Sequence, residues 1–461
     1  MSDRVSSTIS TSPSAPAAAG PRSGRFIIAG QTQAGPATQA TVVTGMAAYE
    51  ASYGTRTGGA AMYDAAQLAF RSGASEVVVM RATGPAPVKA TASLDSGKIV
   101  VTAKDPGAHA NGWTAAWTAA SSTLTIVAGT VTETYEGATA ALLILAAAQS
   151  GRVTVTSSGT LPAGNITATA LATGTDDFAS VSWPATLALV SPDLGPGAIA
   201  VPGVAYGTVG QSLATHCADT DRHGLVTAAS GATVAQLTSA RATIAGYTDA
   251  DRLDLVGPWV VVPDGAGSTR TVDPTGFVAG LRAAAHRVSP GESAAAETYA
   301  RSVVDVAPEY QVSSADWATL NAAHVSVIRT VGAYTRLYTY TMAAAMGGNA
   351  NLIGGQYRDL VDAIVFDAKV ILESETTTAS PGRLAQLAGR LAALLAPLSG
   401  VYLKARTAGD GSLVDPGYAV SVSTGTAPAD NRIEAKISVR LEESIDFVDL
   451  VVAVGDATVS L

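Results

Sequence analysis

Gly210-Gln211-Ser212-Leu213-Ala214 is a loose form of the Gly-x-Ser-x-Gly turn that presents a nucleophilic hydroxyl in α/β hydrolases. That turn needs a strand running directly into the serine. Pro202, Gly203, Tyr206 and Gly207 interrupt the approach here, so Ser212 reads instead as a cap where a helix over about 210–220 begins. Just beyond lie His216, Cys217, Asp219, Asp221 and His223, five side chains of types that can ligate a metal ion. On a helix His216 and Asp219 share a face, but Asp221 and His223 fall on the exit loop with Arg222 among them. Cys217 reads as a small core residue. Other chemistry-bearing patterns are missing. Ser96-Gly97-Lys98-Ile99 lacks the upstream glycine and the hydroxyl of a phosphate loop, and Gly195-Pro196-Gly197 precedes a strand instead of following one. With five histidines in the chain, acid–base chemistry at neutral pH has few candidates. The expectation is a protein with no catalytic residue, no cofactor and no metal, with a Ser212 hydrolase as the alternative from the enzyme class.

These residues belong to an alternating chain. Residues 25–80 read as strand, loop, helix, strand; the helix over about 60–72 stops at Gly73. Val77, Val78, Val79 and Met80 form an unbroken apolar run, which suits a strand covered on both faces. Between about 89 and 178 short Thr/Val-rich strands (98–102, 122–127, 152–156, 165–170) alternate with turns around one helix at about 138–149. Strand candidates then resume at 199–201, 224–227, 255–262 and 325–329. Helices at about 210–220, 234–244 and 275–287 lie between them, a pattern of a mainly parallel sheet flanked by helices. Two amphipathic helices follow: Leu360, Val361, Ile364, Val365, Ala368, Ile371 and Leu372 share one face, and Leu384, Leu387, Leu391, Leu394, Leu395 and Leu398 another. Finally Ile433, Ala435, Ile437, Val439 and Leu441 alternate with Glu434, Lys436, Ser438 and Arg440, as in a half-buried antiparallel strand, and a last strand covers about 447–454.

The expected fold class is therefore α/β and multi-domain. An arm (1–24) precedes a discontinuous core (25–88 and 183–335), which carries an inserted β-rich domain (89–182). An α+β C-terminal domain (336–461) ends in a strand arm. Composition narrows the function. The chain has 461 residues, 14% charged, 47% hydrophobic and 5% aromatic. A coding source rich in Ala and Gly codons gives such a profile, and so does a surface buried against copies of itself. A net charge of -9 without any Lys/Arg run disfavours nucleic acid. A single cysteine permits no intramolecular disulfide. The N-terminus has no apolar signal region, and the longest apolar run, 138–148, is far short of the ~18 residues of a membrane span, so no membrane insertion is expected.

Residues 25–84 also resemble the opening of contractile phage tail sheath subunits: a short apolar strand, Gly35-Pro36, Thr44-Gly45, Tyr53-Gly54, an Ala-rich helix ending at Gly73, a second strand, then Arg81. Lys104-Asp105-Pro106-Gly107 with Asn111-Gly112 is similar to the family's Pro-Gly…Gly-Asn turn, with Ala110 where the family has glycine. Pro258-Trp259, Asp264, Pro274-Thr275-Gly276, Val278-Ala279-Gly280 and Arg282 follow a second family block. Tyr338-Thr339-Tyr340-Thr341 stands where the family often has Trp-Gly-x-Arg-Thr, so contacts through that arginine do not carry over. Gly417-Tyr418-Ala419-Val420 and the alternating strand resemble the C-terminal sheath domain.

The resemblance implies a structural, non-enzymatic subunit of the virion tail, assembled in the host cytoplasm. It implies hexameric rings stacked helically around a tail tube, contraction from a metastable extended state, and tube, baseplate and terminator proteins as partners. A bacteriocin or injection-machine sheath is the alternative within the same class, and a secreted surface-layer or adhesin protein a further one. Arm candidates for adding to a neighbour's sheet are Val5 and Ile9 at one end and Phe447, Val448, Leu450, Val452 and Val454 at the other. Glu434, Lys436, Arg440, Glu442 and Glu443 form either a solvated strand face or an inter-subunit pairing surface.

Overall fold

The computed structural model describes residues 22–265, 267–295, 305–306, 311–331, 334–373, 381–424, 433–442 and 447–454. The first unit is β1 (Phe26–Gly30), β2 (Thr41–Val43), α1 (Met46–Tyr53), α2 (Ala60–Ser72) and β3 (Val77–Arg81). Every residue of β1 and β3 is buried, and the two strands run parallel with Phe26 opposite Val77. The unbroken apolar runs have their reason here, because both faces of the sheet are covered. β2 and α1 were not anticipated; β2 is a three-residue antiparallel edge, too short to carry a period.

Residues 91–170 supply β4 (Thr91–Leu94), β5 (Ile99–Ala103), β6 (Thr114–Thr118), β7 (Thr123–Ala128), β8 (Val131–Glu136), α3 (Ala140–Ala147), β9 (Val153–Ser157) and β10 (Ile166–Ala170). They form two antiparallel sheets, β4-β5-β9 and β10-β6-β7-β8. Their apolar side chains close on one another: Ile99, Val101, Trp117, Leu124, Ile126, Leu143 and Val153 belong to a cluster whose buried members all lie between 90 and 171.

The chain then returns to the large sheet through α4 (Trp183–Ala188), β11 (Ala198–Ala205), α5 (Tyr206–Thr220), β12 (His223–Thr227), α6 (Val234–Ile244) and β13 (Leu253–Gly257). Next come β14 (Val260–Gly265), β15 (Ser268–Val272), α7 (Thr275–His286), β16 (Asp305–Val306), α8 (Ser314–Ala322), β17 (Ser326–Val331) and β18 (Tyr334–Leu337). The eight-stranded order is β18-β17-β13-β12-β11-β1-β3-β2, with parallel pairs inside and an antiparallel pair at each edge. Phe26 and Ile28 face α2 and α7, while Ile27 and Ala29 face α4, α5, α6 and α8, so one alternating strand seeds two cores. The single strand expected over 255–262 is corrected: it is two strands in different sheets. Pro258 has no N–H to donate to a ladder, so pairing ends at Gly257 and restarts at Val260 beside β15.

The last third adds α9 (Gly355–Glu373), α10 (Pro381–Leu395), β19 (Arg406–Thr407), β20 (Leu413–Asp415), β21 (Tyr418–Thr424), β22 (Ile433–Arg440) and β23 (Phe447–Val454). α9, α10 and the inner face of β22 (Ala435, Ile437, Val439) share a third core. β23 pairs antiparallel with β22 of its own chain over eight residues, from Ile433 opposite Val454 to Arg440 opposite Phe447. Arg440 departs from the alternation. It is buried, donates to Asp415 at 2.7 Å and to the Lys404 carbonyl at 3.3 Å, and so leaves the exposed face that Glu434, Lys436 and Glu442 occupy. Glu443, Val5 and Ile9 lie outside the described residues, as do the side chains of β23.

Candidate functional site

Ser212 sits six residues inside α5, which begins at Tyr206, so it is neither an elbow nor a cap. β11 hands over directly to the helix, and the glycine that suggested an elbow has a packing reason: a Cβ on Gly210 would fall 2.7 Å from the Tyr247 ring. His216, one turn further on, is turned away from acid–base work. Its Nε2 accepts from Arg222 Nη1 at 2.9 Å; Nη1 also donates to the Val190 carbonyl, and Nε and Nη2 donate to those of Gly195 and Ser191. Burial first, and Arg222 second, push the His216 pKa down to about 4. Cys217 is fully buried and its thiol is pushed up to about 12. Asp221 pairs with Lys369 and Arg252, while His223 turns to Asp359. His216, Asp221 and His223 thus turn to different partners, Cys217 packs in the core and Asp219 is exposed, and no metal-holding group of three or more His, Cys, Asp or Glu occurs among the described residues. Ser212→Ala is expected to shift stability by less than about 0.5 kcal/mol. It should leave any hydrolysis of p-nitrophenyl acetate by the purified chain unchanged; a lost activity would restore the hydrolase reading.

The charged centre of the molecule lies elsewhere, where α9 meets the amino-terminal edge of the large sheet. Asp359 on α9 is 1% exposed and accepts from five donors. Arg282 on α7 grips it with Nε at 3.0 Å from both oxygens and Nη2 at 2.6 Å. His223, the first residue of β12, places Nδ1 at 3.0 Å, and His286 at the end of α7 places Nε2 at 3.2 Å. The Tyr340 hydroxyl also donates to it, and the Tyr340 ring stacks on His223 at 5.5 Å and 7°. Arg282 Nη1 reaches back to the Ser23 carbonyl at 2.6 Å. One guanidinium therefore holds both the segment ahead of β1 and the helix that leads to the third core. Burial alone would raise the Asp359 pKa; Arg282, then His223 and His286, outweigh it and hold the carboxyl well below its usual range.

A second buried layer continues along α9. Asp362 accepts from Arg252 at 2.7 Å and lies 3.3 Å from Arg358, which also reaches Asp251 at 3.0 Å. The apolar face of α9 was legible in sequence; its charged face was not. Helical spacing sends Arg358, Asp359 and Asp362 away from the Leu/Ile/Val stripe, which ordinarily means toward water. Here that side is packed against the sheet edge. α9 carries six charged residues, Arg358, Asp359, Asp362, Asp367, Lys369 and Glu373, and no local signal separates the three that are buried from the rest.

No protein-family model matches the chain, and no curated protein matches it. Solved structures do. The sheath tail protein from Listeria innocua is similar at a TM-score of 0.67 and 17% identity, over 95% of this chain and 96% of that one. The sheath tail protein from Desulfitobacterium hafniense is similar at 0.61 and 14%, over 97% and 100%. The helical sheath of the anti-feeding prophage in its contracted state is similar at 0.53 and 14%, over 97% and 96%. At these identities the likeness is one of fold: the chain has the fold of sheath tail proteins.

Proposed function

We propose that this chain, built on the sheath tail protein fold, is a structural subunit of a contractile tail sheath. It polymerises as stacked hexameric rings around a tail tube and contracts from a metastable extended state to drive the tube through an envelope. The observation that supports this most is the extent of the likeness, 95% of the chain onto 96% of a sheath tail protein, with a helical sheath among the other matches. A fold matched end to end in assembly proteins, without a catalytic constellation among the described residues, favours a subunit over an enzyme. The proposed division is an arm (1–24), a core (25–88 and 183–335), an inserted β-rich domain (89–182) and a sheath domain (336–461). The proposed partners are copies of itself, a tube protein, and baseplate and terminator proteins; the setting is a virion tail, with an injection machine as the other reading, since one of the matches belongs to the anti-feeding prophage.

Continuity between subunits is proposed to come from the chain ends. β23 forms an eight-residue ladder with β22 of its own chain. Passing β23 to a neighbour's β22 would keep the same hydrogen bonds, each worth about 0.5–1.5 kcal/mol net, so exchange has little enthalpic penalty. Glu434, Lys436 and Glu442, on the exposed side, are placed to pair between subunits. Contraction is then a rigid-body exchange between two sets of interfaces, restrained by a kinetic barrier.

Negative-stain electron microscopy of the purified chain over a range of concentrations tests the reading, with long striated hollow tubes as the expected result. Deleting residues 1–20, or 447–461, is expected to abolish tubes while leaving a folded, dispersed protein by circular dichroism. Normal tubes from either truncation would overturn the role given to the arms. Failure of the full chain to form tubes, alone or with a tube protein, would overturn the sheath reading itself.

A further inference from the structure

The Asp359 node contains a second carboxylate that its hydrogen bonds do not explain. Asp254, on β13, is fully buried, and neither of its oxygens has a hydrogen-bond partner among the described residues. The neighbouring Ser326 hydroxyl is committed to the Thr341 backbone. What faces Asp254 is His223 Nε2, at 3.8 Å, itself without another partner. His223 thus lies between two buried carboxylates, with Nδ1 toward Asp359 at 3.0 Å and Nε2 toward Asp254. Neutral imidazole carries one N–H and can serve only one of them; imidazolium carries two and serves both.

The charges around the ring give the same answer. α9 contributes Asp359, β13 contributes Asp254, α7 contributes Arg282 and His286, and the segment after β18 contributes Tyr340. Burial, then Arg282, lowers the His286 pKa, and burial, then Asp359, raises that of Tyr340, so both stay uncharged near neutrality. Asp359 and Arg282 then offset each other, and one proton is left for the facing pair of His223 and Asp254; burial raises the Asp254 pKa, and the His223 ring beside it works the other way. With that proton in place the node is neutral, and without it an uncompensated negative charge is buried, which is strongly unfavourable; on His223 the proton lets one ring serve both carboxylates, which on Asp254 it does not.

We propose that His223 is an imidazolium at neutral pH, an internal proton clasp that fastens α9 and the segment ahead of β1 to the edge of the sheet, and that the clasp opens on the alkaline side. Burial works against the charged ring, but the charge of Asp359, the nearby Asp254 and the hydrogen bond to Asp359 outweigh it, and the His223 pKa is raised. The native chain therefore keeps this proton beyond the pH at which the unfolded chain releases it. The stabilisation is complete below about 6.5, the ordinary histidine value, and disappears as pH climbs through the raised folded value.

The test uses the dispersed full chain with 15N-labelled histidine, followed by NMR from pH 6 to 10, the His223 signals being those lost in His223→Gln. The expected result is a ring with both nitrogens protonated at pH 7, titrating above 6.5. The thermal midpoint should fall over the same interval in the parent chain and stay level there in His223→Gln. An uncharged His223 ring at pH 7 overturns the proposal, and so does an alkaline decline that persists unchanged in the variant. If His223→Gln does not fold, the labelled parent chain decides alone, with its five histidines assigned from the other four Gln variants. Neither readout involves tube formation, so the clasp and the sheath reading stand or fall separately.

Discussion

Replacing Asp359 with alanine should destabilise the chain by about 3–5 kcal/mol, the range for removing one partner of a buried ion pair. The carboxylate is the shared acceptor of Arg282, His223, His286 and Tyr340, four buried residues that it draws together. Its loss leaves a guanidinium without a counter-ion in the interior. Asp359→Leu combined with Arg282→Met removes both charges and replaces them with apolar volume; that double variant should recover part of the loss. Calorimetric or urea unfolding of the parent, single and double variants checks this. A single-variant effect below about 0.5 kcal/mol, the scale of a surface change, would mean that water enters the node and takes over its hydrogen bonds.

The second large effect concerns glycines whose contribution depends on where they sit. α7 carries Gly276 and Gly280 on the side that meets α2, whose facing residues are Ala65, Ala69 and Ser72. A Cβ on Gly276 would lie 2.2 Å from the Ala65 carbonyl oxygen, and one on Gly280 would lie 2.5 Å from Ser72 Cβ and 2.6 Å from the Ala69 carbonyl oxygen. Alanine is favoured over glycine in a helix by about 1 kcal/mol. At these two positions the gain is overridden, because the colliding atoms are backbone, or in Ser72 a Cβ that the backbone fixes, and cannot swing aside. Gly276→Ala and Gly280→Ala should therefore destabilise, and Gly280→Val by about 3 kcal/mol or more. Gly389, exposed on α10 with nothing within 4 Å of its would-be Cβ, should respond oppositely, Gly389→Ala stabilising by up to about 1 kcal/mol. Equal signs at the two places would refute the close approach of α2 and α7.

Much of the large sheet, and of the sheet that holds β22, was legible because period and burial coincide there. The runs at β1 and β3, the helix stop at Gly73 and the alternation of β22 each report a local environment that the residue itself selects. Breaks made by neighbours were less visible. The division of 255–262 into β13 and β14 turns on one missing N–H at Pro258. α8 was passed over although Ser313 and Asp316 form its capping box, because the helix is short and buries only Leu320. The Asp359 node was out of reach of any local pattern. Its members come from α7, β12, β13, α9, position 340 and Ser23, and only the fold brings residues 259 positions apart, such as Ser23 and Arg282, into one hydrogen bond. Conversely, of the residues that looked reactive in the sequence, Cys217 is packed in the core and His216, Asp221 and His223 are taken up by arginine, lysine and aspartate.

The way residues 91–170 join the large sheet has an evolutionary and practical corollary. The chain leaves after Arg81 and returns by 178, and the two connecting stretches are bonded to each other: Gly84 N–H donates to the Asp176 carbonyl at 2.9 Å, and Val88 and Thr175 exchange hydrogen bonds at 2.7 and 2.9 Å. The segment has a core of its own. Its two ends thus emerge side by side, like the pins of a plug. Genes could gain, lose or trade such a cassette while keeping the strand order beneath it, and a foreign domain with neighbouring termini could be spliced at 85–175.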